Sequence, residues 1–140
     1  MRPTPQIVYF SVKNTSEKLR CIIETAQNHL HRKNTLHILV PDKTSLSFVS
    51  QLLWKEPKEG FIVHNDDRDP LMPALIQLML PQPSYTNAES IFNLTSHALI
   101  GDHPLKQIYE LEDLSHPNKK DIFQKKFQLY QEAGYSLCSN

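Results

Sequence analysis

The order of apolar and polar positions along the chain predicts alternating strands and helices. Runs rich in β-branched and aromatic residues predict strands at 6–11, 36–40, 74–80, 90–95 and 107–111. Apolar residues at helical spacing predict helices over 17–31, 44–54 and 119–133. The two strand–helix repeats at the start imply right-handed parallel crossovers. The pattern therefore predicts one α/β domain over residues 1–140, with a mostly parallel sheet of about five strands and helices on both faces.

Three of the predicted strands carry information about their place in the sheet. Residues 36–40 are almost continuously apolar, which is typical of a strand covered on both faces. Residues 90–95 alternate between apolar and polar side chains, which predicts a half-buried strand. Residues 107–111 are predicted to form the last strand, at an edge of the sheet.

The last predicted helix combines an apolar stripe with a cationic outer surface. The stripe expected to face the core consists of Ile122, Phe123, Leu129, Tyr130 and Ala133. Phe127 falls at the edge of this stripe, near Lys120 and Gln124 on the helical wheel. Four lysines leave the helix locally positive: Lys119, Lys120, Lys125 and Lys126. This pattern is typical of a solvated amphipathic helix, and it would also form a shallow apolar pocket with positive charge around it.

The balance of charge argues against strong binding of nucleic acid by this chain alone. The formal net charge is zero, whereas proteins that hold nucleic acid through its phosphates carry a clear positive excess. No apolar run is long enough to span a membrane. The N-terminal residues lack the apolar core of a signal peptide, so we expect a cytoplasmic protein.

The candidate metal ligands do not form a recognisable site. The two cysteines, Cys21 and Cys138, are far apart and are expected to be free thiols in a reducing compartment. The seven histidines are scattered, without the spacing of a zinc site. The acidic run at 66–69 precedes a proline and is typical of a turn. We therefore expect no bound metal.

The motifs of nucleotide binding and catalysis are also missing. The predicted topology is Rossmann-like, but the first strand–helix turn, residues 11–16, contains no glycine to cradle a phosphate. No serine or cysteine lies in a nucleophile elbow. Glu110, Glu112 and Asp113 are expected at the sheet edge without a companion base. We expect no cofactor, and a small α/β nucleotide-binding enzyme is the less favoured alternative.

A set of motifs in the same order resembles the chi subunit of bacterial DNA polymerase III. The motifs are Leu53-Trp54, Pro57, Phe61, His64-Asn65, Leu80-Pro81-Gln82 and the segment 130–135, which reads Tyr-Gln-Glu-Ala-Gly-Tyr. The resemblance runs from the first strand to the last helix. It implies a compact α/β domain that acts as a non-catalytic accessory subunit in DNA replication.

The resemblance implies a binding site on the last helix for the C-terminal tail of single-stranded-DNA-binding protein. That tail is acidic and ends in an aromatic residue, so contact with nucleic acid would be mainly indirect. The matching positions are Lys120, Gln124, Phe127 and Gln128. Phe127 stands where the family has a tyrosine. Gln124 and Gln128 stand where the family can have basic residues, so two of the expected charges are absent.

The resemblance also implies a second surface, which docks the psi subunit of the clamp loader. The matching residues are Trp54, Pro57, Phe61, His64 and Asn65. Composition alone favours a core position for Trp54 and Phe61, because large aromatic residues beside a turn are more often core filler than partner anchors. The same surface would also suit a repair helicase as partner.

Overall fold

The computed structural model of the protein describes residues 4–55, 64–65, 75–82, 89–101 and 104–139. These residues form seven strands and three helices. Their order along the chain is β1 (Gln6–Val12), α1 (Thr15–Arg32), β2 (Leu36–Leu39), α2 (Lys43–Lys55), β3 (His64–Asn65), β4 (Ile76–Met79), β5 (Ser90–Asn93), β6 (Gln107–Asp113), α3 (Pro117–Glu132) and β7 (Ser136–Ser139). No helix within these ranges is both long and apolar enough to cross a membrane.

The strands form one parallel sheet in the order β3-β4-β2-β5-β6-β1-β7. Every pairing between neighbours is parallel. The predicted parallel α/β sheet is therefore confirmed, with more strands than expected. The two additional strands are at the edges: β3 has two residues and β7 has four. Segments this short leave little alternation for a sequence pattern to detect.

Two predictions about individual strands are wrong. β6 lies inside the sheet, between β5 and β1, and not at an edge. β5 is not half-buried, because all four of its residues are buried. Its polar residue Asn93 is accommodated inside because its amide donates hydrogen bonds to Glu110 and to the backbone of His97.

The helices cover both faces of the sheet, as predicted. On one face, α1 and α2 pack over alternate residues of β2 and β4, in a cluster that includes Ile22, Ala26, Leu36, Ile38, Leu46, Leu53, Ile76 and Leu78. On the other face, the opposite residues of the strands pack with α3, in a cluster that includes Ile7, Leu39, Met79, Ile91, Ile108 and Tyr130. This alternation is the period of two that a strand covered on both faces requires.

Local side-chain and backbone bonds define where the helices begin and end. Asn14 Oδ1 accepts a hydrogen bond from the Glu17 amide at 2.9 Å, and the Glu17 carboxylate accepts one from the Lys13 amide at 2.9 Å. Asp42 caps the start of α2 through the Ser45 amide at 2.7 Å. Gly134 follows α3 with a φ of +83°, a left-handed conformation that ends the helix.

Replacing Phe92 tests how the centre of the sheet is packed. Its side chain is fully buried on β5 and lies against the rings of Phe10 and Tyr109, at centroid distances of 6.1 and 5.7 Å. Phe92→Ala should lower the free energy of unfolding by about 3–5 kcal/mol, because it leaves a cavity. Phe48→Ala is the control, since Phe48 is 55% exposed on α2, and should cost about 0.5 kcal/mol or less. Urea unfolding measures both, and equal losses would contradict this packing.

Candidate partner-binding surfaces

α3 is turned on the sheet relative to the prediction. Its buried residues are Phe123, Lys126 and Tyr130. Ile122 and Leu129, which were expected to face the core, are 38% and 45% exposed. Ala133 is exposed as well, so the predicted core stripe is wrong at these three positions and confirmed only at Phe123 and Tyr130. The cause is that Glu110, a polar group on the sheet, binds Lys126 and Tyr130, and this turns α3 so that Ile122 and Leu129 move out of the buried side.

Glu110 is fully buried on β6 and is surrounded by hydrogen-bond donors. Lys126 Nζ lies 2.5 Å from Glu110 Oε1, and also donates to the Thr95 carbonyl oxygen at 2.7 Å. The Tyr130 hydroxyl and the Asn93 amide both donate to Glu110 Oε2, at 2.6 and 2.8 Å. The prediction that Glu110 lies at the sheet edge is wrong, and Lys126 does not contribute to the cationic surface of α3.

The protonation of this cluster follows from its burial. Burial raises the pKa of the Glu110 carboxyl, while the Lys126 ammonium and the donors from Tyr130 and Asn93 oppose that rise. Burial and the neighbouring Glu110 also raise the pKa of Tyr130, so its hydroxyl keeps its proton and donates. The Tyr130 oxygen in turn accepts from the Leu99 amide at 3.0 Å. The three donors to the carboxylate suit its ionised form.

The flank of α3 that faces β1 carries the predicted tail-binding residues. Phe127 is half-buried, with its ring edge-on to Tyr9 at 5.8 Å and 5.6 Å from the ring of Phe123. Lys120 and Gln124 precede Phe127 by seven and three residues, so they share its side of the helix. Both are exposed, as is Gln128, whose amide donates to Glu132 at 3.1 Å.

We name the surface formed by Phe127, Tyr9, Lys120, Gln124 and Gln128 the α3 flank. Tyr9 is the member that the sequence did not indicate. It lies on a strand more than 100 positions away, and only the pairing of β1 with β6 brings it under α3. The α3 flank is thus an aromatic surface with one lysine and two neutral amides beside it.

The second predicted surface is only partly within the described residues. Trp54, at the end of α2, is 45% exposed, so the interpretation of Trp54 as core is wrong. Its ring lies 5.0 Å from that of His64 on β3, and His64 Nε2 is 2.8 Å from Ser50 Oγ. The strand β3 also includes the backbone of Asn65. Pro57, Phe61 and the side chain of Asn65 lie outside the residues that the structure describes.

The two surfaces are far apart on the domain. His64 is on β3 at one edge of the sheet, whereas Tyr9 is on β1, five strands away. At the usual strand spacing this separation is about 24 Å. Trp54 belongs to α2 and Phe127 to α3, and these helices cover opposite faces. A partner at one surface would therefore leave the other accessible.

Metal ligands and cysteine thiols are two kinds of group that could support catalysis. Within the described ranges, no group of three or more histidine, cysteine or carboxylate side chains could hold a metal ion. Burial raises the pKa of the Cys21 thiol to about 11, which makes it a poor nucleophile at neutral pH. Cys138 is exposed, on β7.

Replacing Lys126 tests the role of the buried ion pair. Lys126→Met keeps much of the side-chain volume but leaves Glu110 buried without its cation, so unfolding should become easier by about 3–5 kcal/mol. Lys125→Met is the matched control, because Lys125 is the exposed neighbour on the same helix. Chemical denaturation of both variants measures the difference, and a loss of less than about 1 kcal/mol for Lys126→Met would contradict the role of the pair.

The loss of stability caused by Lys126→Met should also depend on pH. Burial raises the folded-state pKa of Glu110, and the Lys126 ammonium opposes that rise. Without Lys126 the pKa of Glu110 should be higher still, so the variant keeps the carboxyl protonated at low pH and loses that stability as the pH rises through the folded pKa. The deficit of the variant relative to the parent protein should therefore be larger at about pH 8 than at about pH 5. A deficit that grows on acidification would contradict this assignment.

Comparison with known proteins identifies the family of this chain. A family model described as the DNA polymerase III chi subunit, HolC, matches residues 5–138, from β1 into β7. No curated protein sequence matches the chain. Because the family match covers nearly the whole domain, the chain belongs to the chi-subunit family of DNA polymerase III, whose members are accessory subunits in DNA replication.

Proposed function

We propose that the protein is a non-catalytic cytoplasmic adaptor that links the clamp-loader complex of DNA polymerase III to single-stranded-DNA-binding protein. Membership of the chi family supports the replication role. The observation that supports the proposal is the separation of the two surfaces, since His64 lies on the edge strand β3 and Tyr9 lies five strands away, on β1. An adaptor requires two surfaces that can be occupied together. The zero net charge agrees with contact to DNA mainly through the bound protein.

The α3 flank is the proposed site for the acidic tail. The rings of Phe127 and Tyr9 form an apolar surface on which an aromatic tail residue would lose its contact with water. The Lys120 ammonium would attract the carboxylates of the tail. Gln124 and Gln128 can donate hydrogen bonds but carry no charge. The attraction should therefore rest on the aromatic contact, with a small dependence on salt.

The surface around Trp54 is the proposed site for a psi-like clamp-loader subunit. The exposed ring of Trp54 pairs with the half-buried ring of His64, and we assign Pro57, Phe61 and Asn65 to the same surface. Exposed tryptophan is typical of interface anchors, because it buries a large area at a small entropic cost. A repair helicase is the alternative partner for this surface.

Binding of the tail can be tested on the α3 flank by calorimetry. Phe127→Ala should weaken binding of a tail peptide from single-stranded-DNA-binding protein by about 1–3 kcal/mol, the range of an anchor residue. Leu129→Ala is the control, since Leu129 is an exposed apolar residue on the same helix but not on the α3 flank. Lys120→Ala should weaken binding less than Phe127→Ala, and added salt should reduce its effect.

A double cycle shows whether Phe127 touches the ring of the peptide. Removing the terminal phenylalanine of the peptide should cost about as much as Phe127→Ala, and combining the two changes should cost little more. Additive losses would mean that the two rings do not meet. The binding site would then lie elsewhere on the domain.

The partner surface can be tested by replacing Trp54 and Phe61. Trp54→Ala should abolish capture of a psi-like subunit in a pull-down, as should Phe61→Ala, while both variants keep the circular dichroism spectrum of the parent. Phe48→Ala is the control, because Phe48 is also exposed on α2 and is not assigned to this surface. Loss of capture in the control alone, or retention in Trp54→Ala, would contradict the assignment.

A further inference from the structure

A small cavity of about 180 Å³ opens at the carboxyl ends of β5 and β6. It lies between α3 and the start of α1, away from the α3 flank. Its apolar lining comes from Leu94, Leu111, Ile122 and Phe123. Its polar lining includes the ammonium groups of Lys18, Lys119 and Lys126, together with Asp113 and Glu110. None of these residues except Phe123, which packs against Phe127, takes part in the proposed partner surfaces.

The topology of the sheet makes this a natural position for a ligand. β1 and β6 are neighbours. The chain leaves β1 into α1 on one face of the sheet, and leaves β6 into α3 on the other face. In open parallel sheets, ligands bind in the crevice that such divergent connections create at the carboxyl ends of the strands.

The rim of the cavity has more positive than negative charge. Lys18 Nζ and Lys119 Nζ lie 3.9 and 3.6 Å from the same oxygen of Asp113, both too far for a hydrogen bond. The other Asp113 oxygen accepts from the amide and hydroxyl of Ser115, at 3.0 and 2.5 Å. One carboxylate thus faces two ammonium groups. Lys126 is neutralised by Glu110, so the cavity keeps one net positive charge.

The titration of Lys18 agrees with this excess of charge. Burial lowers the pKa of Lys18, and the neighbouring Lys119 ammonium lowers it further, against the opposing effect of Asp113. An additional anion at the rim would relieve the repulsion between the two lysines. Since Lys18 and Lys119 have no hydrogen-bond acceptor among the described residues, their N–H groups are available to such an anion.

We propose that this cavity binds a small organic acid, consisting of one ring-sized apolar group and a carboxylate. The volume sets the size, because an apolar cavity of about 150 Å³ accommodates benzene. The apolar group would contact Ile122 and Phe123 at the cavity wall. The carboxylate would bind between Lys18 and Lys119. This site is independent of the adaptor function, since it uses the other flank of α3.

The test is a titration of the ¹⁵N-labelled full chain with phenylacetate, followed by NMR. Phenylacetate should cause saturable shifts at residues 94–96 and 119–123, with a Kd on the order of 1 mM, the affinity reachable by so small a ligand. The neutral analogue 2-phenylethanol should bind at least about tenfold more weakly, because it lacks the charge. An absence of saturable shifts, or equal affinity for the two compounds, would overturn the proposal.

Two matched pairs of variants locate the site. Ile122→Trp should fill the cavity and weaken the binding of phenylacetate about tenfold or more. Leu129→Trp, at an exposed position on the same helix, should leave the Kd for phenylacetate unchanged. Lys119→Gln should weaken binding about threefold to tenfold, and Lys125→Gln should not. Equal effects within either pair would overturn the assignment of the cavity.

A final experiment distinguishes this cavity from the proposed tail-binding site on the α3 flank. Phe127→Ala should not change the affinity for phenylacetate, whatever it does to the tail peptide. If Ile122→Trp abolishes binding of the tail peptide, and phenylacetate competes with that peptide, then the cavity binds a peptide terminus and the small-acid proposal is wrong. If the tail peptide fails to bind at all while phenylacetate behaves as described, the proposed adaptor function is wrong and this proposal stands.

Discussion

A carboxylate buried in the middle of a parallel sheet is the constraint on which the outer surfaces of this domain depend. Glu110 is inaccessible to solvent, and a charge in that position is tolerated only with a counter-ion and donors in place. Lys126 and Tyr130 supply them from α3, and Asn93 supplies one from β5. Lys126 and Tyr130 lie four residues apart and therefore on the same side of α3. Because both side chains bind Glu110, the rotation of the helix about its axis is fixed.

That rotation determines which residues α3 presents to its surroundings. With Lys126 and Tyr130 facing the sheet, Phe127 lies on the side of β1, against Tyr9. Ile122 and Leu129 are left exposed on the opposite side. Buried ion pairs add little net stability compared with apolar residues of the same size, but they can enforce one arrangement over others. We infer that the pair selects the orientation of the α3 flank.

Much of the fold could be predicted from the sequence, because its signals are local. The helices α1 and α2 and the strand β2 follow from periodicity within a dozen residues. The orientation of α3 could not be predicted in this way. The sequence pattern around Lys126 predicts a surface residue. Nothing near this position in the chain indicates that its partner is Glu110. β7, at only four residues, was equally hidden.

The candidate surfaces were also only partly predictable from the sequence. The helical wheel of the last helix placed Phe127 near Lys120, whereas the family resemblance implied a surface with Trp54 and His64. Both remain proposals for function. Their mutual position could not be predicted, because it depends on the strand order. That order places His64 at one edge of the sheet and Tyr9 near the other. This separation would let the two proposed surfaces on one small domain hold two partners at the same time.

The central claim is that both surfaces are occupied at once. Sedimentation velocity on a mixture of this chain, full-length single-stranded-DNA-binding protein and a psi-like subunit measures this directly. The account predicts one boundary that contains all three proteins and sediments faster than either binary complex. Release of the psi-like subunit when single-stranded-DNA-binding protein is added would contradict it, because the two partners would then compete for one surface.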